Sequence, residues 1–464
     1  MSVVQRSRQI AESATAPTTK LQVDYVRVDR LRPSPKNARL HSRKKVRQLA
    51  QSIAALKVIS PIIVDENFEI LAGHARLEAA KLLGLSEVPV IQVKHLSEAE
   101  KRAYRLADNR FSEKATWDSE LLSIEVRELV DLEFDIELTG FDTADVDIIL
   151  SREDIGTDDD LDIPAVSSGP PVTQVGDLFQ LGDHRLICGD ARSPSVYKEL
   201  MAGEKARLVV ADAPYNVKIE GHVRGLGKTH HPDFAMGSGE FTFEQFVLFL
   251  RTVFILLVSN SADGAIHFIF MDWRHMREIL EAGDGVFSEL KNLVVWAKAN
   301  GGMGSFYRSR HELIFVYKSG RKPHINNFEL GQHGRSRTNV WEYPGVNSFR
   351  KGRMEELAMH PTCKPVELVA DAIKDCSHRS GVVLDPFGGS GTTLISAERS
   401  CRRARLIELD PAYCDVIIKR WLALGGTTAI HVASGLSYTE LALSRQPSAS
   451  GDLHDHPQKR RRRR

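Results

Sequence analysis

Apolar residues first become periodic at Leu21, after twenty polar, aperiodic positions that read as a disordered leader, residues 1–20. Val26, Val28 and Leu31 alternate as in a short strand, RPSPKNAR reads as a turn, and Val46, Leu49, Ala50 and Ile53 recur at helical spacing. Strands are predicted at Pro61–Val64 and Glu69–Ala72 and a helix at Arg76–Leu83, so residues 21–115 form a small α/β module. Ser97 with Glu100 makes a capping box ahead of an amphipathic helix. Asp118 opens another through Leu121, Leu122, Val126 and Leu129, a helical extension over 116–155. The acidic, Ser/Gly/Pro-rich GTDDDLDIPAVSSGPP follows and places a linker over 156–173. Beyond it, apolar strands (Leu208–Val210, Ala265–Phe270, Leu293–Trp296, Leu313–Tyr317, Val382–Leu384, Leu406–Leu409) alternate with helical segments. That alternation predicts an α/β fold with a mostly parallel, doubly wound sheet over 174–436. From Ser437 polarity rises to a terminal run of arginines, and 437–464 is expected to be a disordered basic tail.

Length and composition narrow the choices. A chain of 464 residues is too long for one core. With 42% hydrophobic and 27% charged residues it is globular. A net charge of +1 provides no global polycationic field, so any basic surface must be local. The five cysteines are scattered and contain no CxxC pair, which argues against a disulfide framework, a zinc ribbon or another metal site and fits a reducing cytoplasm. The most apolar stretch, Val247–Val258, is broken by Arg251 and Thr252 and falls short of the roughly 20 residues that span a bilayer, so neither secretion nor membrane insertion is expected.

Two segments carry chemistry. In GVVLDPFGGSGTTLISAE, 381–398, an apolar strand runs into a glycine-rich turn and then a helix. Gly388, Gly389 and Gly391 permit positive φ and close backbone approach, and the helix N-terminus presents free N–H groups. One strand-helix-strand unit later the chain reaches Glu408, about where such folds place a ribose-binding carboxylate. A nucleoside-containing cofactor is expected. A phosphate-binding P-loop would need a lysine after the last glycine, where Thr392 and Thr393 stand instead. The second segment is LVVADAPYNV, 208–217, a strand that delivers Asp212, Ala213, Pro214 and Tyr215 to the sheet edge where ligands bind. These residue types suit methylation of an exocyclic amino group. The Asp212 carboxylate and Pro214 carbonyl can accept the two amino hydrogens and localise the lone pair, while Tyr215 stacks on the ring.

The region from about Thr173 to Ser434 resembles the DNA methyltransferases that modify amino groups. Asp385-Pro-Phe-Gly-Gly-Ser-Gly-Thr-Thr is similar to their S-adenosylmethionine motif, and Asp212–Tyr215 to their Asp-Pro-Pro-Tyr catalytic motif, with Ala213 in place of the usual first proline. Catalytic motif first and cofactor motif last resembles the beta class. HPTCKP, 360–365, resembles the element that lines the methionine pocket. The resemblance implies a Rossmann-like domain that binds S-adenosylmethionine through Asp190, His360, Thr362, Lys364, Pro365, Asp385, Phe387, Gly388, Gly389, Gly391, Thr392, Thr393 and Glu408. Asp190 would contact the adenine and Glu408 the ribose. Asp212, Pro214 and Tyr215 would act on the base, and aspartate as the first motif residue favours N6 of adenine over N4 of cytosine.

Between Lys298 and Arg353 stand eleven lysines and arginines against three glutamates, a local +8 suited to the phosphates of double-stranded DNA. Tyr307, Asn326, Asn327, Asn339, Trp341 and Asn347 are interspersed and could reach base edges or stack. Residues from Val23 to Phe111, through PIIVDENFEILAGHARLEAAKLLGLSEVPV at 61–90, resemble the ParB/sulfiredoxin-like domain. Gly73-His74-Ala75-Arg76 falls at the phosphate-contacting loop of that superfamily, but Ala75 replaces one arginine and the sulfiredoxin cysteine is missing. Nucleotide or DNA contact by this domain and a homodimer stay open as partner readings. So do two alternative functions, an N4-cytosine or RNA methyltransferase and a ParB-like DNA-binding protein with a degenerate methylase half.

Overall fold

The computed structural model describes residues 21–57, 59–114, 117–151, 169–216, 239–298, 307–328, 336–344 and 364–445, with isolated positions 164, 166 and 301. The leader, most of the linker, His360, Thr362, Asn347 and the far end of the basic tail lie outside them. The chain divides into two compact units, Met1–Asp154 and Ile155–Arg464.

In the first unit, strands β1 (Val23–Arg27), β2 (Ile62–Val64), β3 (Ile70–Ala72) and β4 (Glu87–Gln92) form one sheet in the order β1-β4-β2-β3. Helix α1 (Arg43–Leu56) starts where the Ser42 hydroxyl accepts the Lys45 N–H. Helix α2 (His74–Leu82) buries Leu77, Ala79 and Ala80, and Leu77 and Ala80 join Ile62, Val64, Ile70, Val88 and Val90 in the core. On α3 (Glu98–Lys114), Lys101 is buried and its charge is met by Asp65, Glu66 and Glu98. The expected helical extension is α4 (Ser119–Asp131), capped by the Asp118 carboxylate, and α5 (Thr143–Ser151), packed through Val126, Ile136 and Val146. Gln48 on α1 donates to the Glu137 carbonyl at 3.0 Å, so module and extension form one body.

The second unit is built on ten strands. They are β5 (Leu178–Leu181), β6 (His184–Cys188), β7 (Ala206–Asp212), β8 (Ser261–Met271), β9 (Glu289–Ala297), β10 (His311–Lys318), β11 (Val340–Glu342), β12 (Val382–Asp385), β13 (Arg403–Glu408) and β14 (Ala429–His431). Their order is β11-β9-β10-β8-β7-β12-β13-β6-β5-β14. The central run β8-β7-β12-β13-β6 is parallel, while β10 lies antiparallel to β8 and β9, and β5 antiparallel to β6 and β14. The sheet is therefore mixed at its flanks, where the sequence suggested mostly parallel pairing. Helices α6 (Pro194–Met201), α7 (Phe243–Ser259) and α8 (Met276–Gly283) bury Tyr197, Phe246, Leu250 and Ile279 in one cluster. Helices α9 (Val366–Cys376), α10 (Thr392–Arg399), α11 (Pro411–Ala423) and α12 (Tyr438–Arg445) bury Leu368, Ile373, Leu394, Ile417 and Leu441 in another. Two apolar clusters served by different helices are what a doubly wound sheet requires.

Helix α12 corrects the expected tail, since 438–445 are ordered. Ser437 and Glu440 cap it reciprocally, and Tyr438 and Leu441, three apart, turn one apolar face inward. The linker boundary moves as well: the Val172 N–H, the Thr173 N–H and the Thr173 hydroxyl all donate to the Asp415 carboxylate, so both residues belong to the folded unit.

Candidate active site

Parallel strands β7 and β12 are neighbours, with Val383 opposite Leu208, and both end in aspartate at the same sheet edge. The topology thus brings together two motifs 173 positions apart in the chain, Asp212 and Asp385. They are close enough for the Asp212 charge to raise the Asp385 pKa.

The glycine loop packs by its own local bonds. Asp385 accepts the Phe387 N–H at 2.9 Å and the Thr393 hydroxyl at 2.6 Å. Gly388 donates to the Ile407 carbonyl, and Gly391, at φ 84°, starts α10 without a side-chain cap. Thr392 and Thr393 are buried. A Cβ on Gly388 or Gly391 would meet Ile417 of α11 at 3.1–3.2 Å, whereas one on Gly389 would find only the Phe387 carbonyl, at 3.9 Å. Gly388 and Gly391 therefore serve loop packing, and Gly389 faces open space. Glu408, at the end of β13, accepts the N–H groups of Gly389 and Asp410 at 2.7 and 2.9 Å. Burial pushes Asp385 up to about 8 and Glu408 up to about 7, their hydrogen bonds offsetting only part of it.

Asp190 stands just past β6, about a third exposed, and pairs with Arg192 at 2.6 Å. The Arg192 hydrogen bonds outweigh burial and lower the Asp190 pKa. The Arg192 guanidinium lies 6.0 Å from the Phe249 ring, which is 6.2 Å from the Phe387 ring. Arg192, Phe241, Gln245, Leu248 and Phe249 line a cavity of about 460 Å³. Neither Arg192 nor Phe249 stands out in the sequence. An outward glycine, a carboxylate at a strand end and an aromatic-lined cavity beside Asp190 fit a ligand with a ribose and a base.

At the Asp212–Tyr215 turn, the Asp212 side chain keeps 29% of its surface open, Ala213 is buried and Pro214 half-buried. Asn216, at φ 52°, exchanges two hydrogen bonds with the backbone of Phe241 and holds the turn. The Tyr215 hydroxyl lies 3.1 Å from Asp212 Oδ1 and 2.9 Å from Glu312 Oε2. Lys364, expected to line a methionine pocket, instead places Nζ 2.7 Å from Asp212 Oδ2 and 3.3 Å from Glu312 Oε2. Pro365 follows it as the N-cap of α9. Lys298 pairs with Glu312 at 2.5 Å. Glu312 reaches this edge because β10 runs antiparallel to β8 and begins where β8 ends, with Leu313 opposite Met271. Burial raises Asp212 above the usual carboxylate range, with Lys364 opposing and Glu312 adding to the rise. Burial works in the same direction on Glu312, but Lys364 and Lys298 overcome it and bring it down to about 2. Burial opposes the charge of Lys364, yet Asp212 and Glu312 more than compensate and raise its pKa.

Several residues of the expected DNA patch have structural work. Lys298 serves Glu312, and Arg337 bonds Asp371, Asp375 and the Tyr343 hydroxyl and stacks on Trp341 at 4.6 Å. The Asn327 side chain is pinned to the carbonyls of Lys374 and Ser377, and the Asn339 side chain donates to the Leu293 carbonyl. Arg321, Lys322 and Tyr307 are exposed. In the first unit, His74 accepts the Ser34 N–H at 3.3 Å and Arg76 donates to the carbonyls of Pro61 and Ser60, so both side chains of that loop hold the fold.

Comparison with known proteins finds three family matches along the chain. Residues 206–420 match the N6/N4 DNA methylase family, 12–110 the ParB N-terminal domain, and 120–175 the ParB-methyltransferase HTH domain, which is legible in the sequence only as a helical extension. The type II methyltransferase M.ScaI of Streptomyces caespitosus is 39% identical over 87 residues, 19% of this chain and 29% of that protein. The ParB-like nuclease domain-containing protein YnaK of Escherichia coli (strain K12) is 40% identical over 83 residues, 18% of this chain and 95% of that protein. The type II methyltransferase M.HpaI of Haemophilus parainfluenzae is 26% identical over 260 residues, 51% of this chain and 74% of that protein. The chain thus spans less than a third of the length of M.ScaI but most of YnaK and M.HpaI. Among the described residues, no helix is long and apolar enough to cross a membrane.

Proposed function

The chain belongs to the N6/N4 DNA methylases that carry ParB-type domains at their N-terminal end, and from that premise we propose that it methylates the N6 amino group of adenine in double-stranded DNA. The observation that carries this reading is the meeting of Asp212-Ala-Pro-Tyr215 and the glycine loop at the ends of adjacent parallel strands. S-adenosylmethionine, the cofactor of this family, supplies an electrophilic methyl group. Gly389 and Glu408 would hold its ribose, and Asp190 with the Phe249 and Phe387 rings its adenine. His360, Thr362 and Pro365 keep their assignment to the methionine end on resemblance alone.

An amino group conjugated to a base ring is a poor nucleophile because its lone pair is delocalised. Asp212 and the Pro214 carbonyl would accept its two hydrogens, and the Tyr215 ring would lie against the base. The base must leave the helical stack to reach Asp212. Catalysis is then positioning together with stabilisation of the positive charge that grows on nitrogen, for which a carboxylate is a stronger acceptor than a hydroxyl. That favours adenine, since serine at the first motif position is the commoner choice of cytosine enzymes. Arg321 and Lys322 are exposed cations of the +8 stretch available for phosphate contact. The ParB-type unit is proposed as an accessory DNA contact.

Mass spectrometry of nucleosides from unmethylated duplex DNA incubated with the protein and cofactor tests the proposal. N6-methyladenine is expected, with turnover lowered on the order of a hundredfold or more in Asp212→Ala. N4-methylcytosine alone would overturn the base assignment, and methylation of RNA in place of duplex DNA the substrate.

A further inference from the structure

Glu312 belongs to neither motif, yet it binds three side chains of the site. It accepts the Tyr215 hydroxyl at 2.9 Å, pairs with Lys298 at 2.5 Å and with Lys364 at 3.3 Å, and is itself only 16% exposed. Lys364 is 7% exposed, and its ammonium is shared between Glu312 and Asp212. It also lies 5.4 Å from the centres of the Tyr215 and Phe270 rings. A buried ammonium is costly without anionic partners, so its position is set by the two carboxylates together, and it fixes them in turn. Two carboxylates and two ammonium groups balance in charge.

We propose, on the reading that Asp212 serves the base, that Glu312 and Lys364 are positioning residues of the methyl-transfer site. Glu312 anchors the Tyr215 ring and the Lys364 ammonium, and Lys364 keeps the Asp212 carboxylate charged and oriented for the incoming amino group. The consequence is a division of labour. Among the described residues, loss of Lys364 leaves Asp212 facing Glu312, the Tyr215 hydroxyl and, from β12, Asp385 with no cation in contact, and protonation becomes easier. Loss of the Glu312 charge has the opposite electrostatic effect on Asp212 but releases Tyr215 and Lys364.

The full-length protein with K364M, K364R and E312Q tests this. The carboxyl band of Asp212, identified by infrared difference spectroscopy as the band absent from D212N, is titrated without cofactor or DNA. Its midpoint is expected to rise by about one pH unit or more in K364M, to return in K364R and to fall in E312Q. In parallel, the acid limb of the pH profile for transfer from tritiated S-adenosylmethionine to unmethylated genomic DNA should move up in K364M by the same number of pH units as the Asp212 midpoint, with activity recovering as pH rises. E312Q should lose turnover at every pH. Unchanged Asp212 midpoints in K364M and E312Q would overturn the proposal, as would a loss of turnover in K364M with no movement of its pH profile. Displaced midpoints in K364M and E312Q, with a wild-type protein that transfers no methyl group, would leave the Lys364–Asp212–Glu312 coupling standing and sink the proposed activity instead.

Discussion

Gly389 and Gly391 stand two residues apart in one loop and meet different demands. Both glycines have left-handed φ, 84° at Gly391 and 51° at Gly389, so a side chain strains the backbone at either, but at Gly391 it would also press on Ile417 whereas at Gly389 it would enter open space. Backbone strain costs each alanine variant about 1–2 kcal/mol, and the Ile417 contact should make Gly391→Ala the more destabilised of the two. Denaturant unfolding of the two variants checks this, and equal midpoints would contradict the division. Single residues were legible where their placement is local. Asp212, Asp385 and Glu408 each end an apolar strand beside a turn, and that adjacency is written in consecutive positions. Glu312 was visible only as one acid in a basic stretch, because its role depends on β10 running back along β8. Lys364 was read from its hexapeptide as a cofactor residue, and nothing in consecutive sequence announces that its ammonium lies on Asp212, 152 positions away. Lys298 and Arg337 were legible as charges but not as internal partners.

At the scale of elements, β12, its loop, α10 and β13 form one strand-helix-strand unit with a buried carboxyl at each strand end. Asp385 titrates at about 8 and Glu408 at about 7, both above the ordinary carboxylate range near 4. The folded chain thus keeps protons that the unfolded chain has released. Stability from this unit is greatest at low pH and declines as pH rises from about 4 toward 8. Asp385→Asn removes one of the two groups and should flatten that decline, although it also gives up an acceptor for Thr393. Unfolding free energies of wild type and variant at about pH 5 and about pH 8 check the sign, and an equally steep fall in both would refute it. The same elements show why central strands are easier to read than flanking ones. β7 and β12 appear as apolar runs over Leu208–Ala211 and Val382–Leu384, whereas β13 shows only Leu406 and Ile407 after Arg403 and Arg405. β6 begins with His184 and Arg185, whose polarity hides the strand; His184 is buried all the same, because it bonds Glu398 at 2.8 Å and accepts the Ala404 N–H.

For the whole molecule, the two-unit division and the fold of the second unit were legible, but its limits were not. An acidic, Pro-rich composition marks a linker without marking where packing resumes, and polarity after Ser437 conceals a helix whose apolar face is only Tyr438 and Leu441. The unit is closed by contacts between its two ends. Arg445 donates to the Val172 carbonyl at 2.6 Å and pairs with Asp177, which also faces His431 at 3.2 Å, while Val172 and Thr173 are held by Asp415. The Tyr438 ring packs edge-on against Phe179 at 6.3 Å. A fragment of residues 172–445 should therefore fold, bind S-adenosylmethionine and retain methyl transfer, with weaker DNA affinity if the ParB-type unit contributes contacts. A fragment cut at 174 and 436 deletes Arg445, Thr173 and Val172, which leaves Asp415 without these donors and Asp177 with only Gln174 and His431. Each buried acceptor left without its donors costs about 1–3 kcal/mol, so the shorter fragment should unfold at clearly lower denaturant concentration. Equal midpoints for the two fragments would show that the end-to-end contacts contribute nothing, and an insoluble longer fragment would show that the second unit depends on the first.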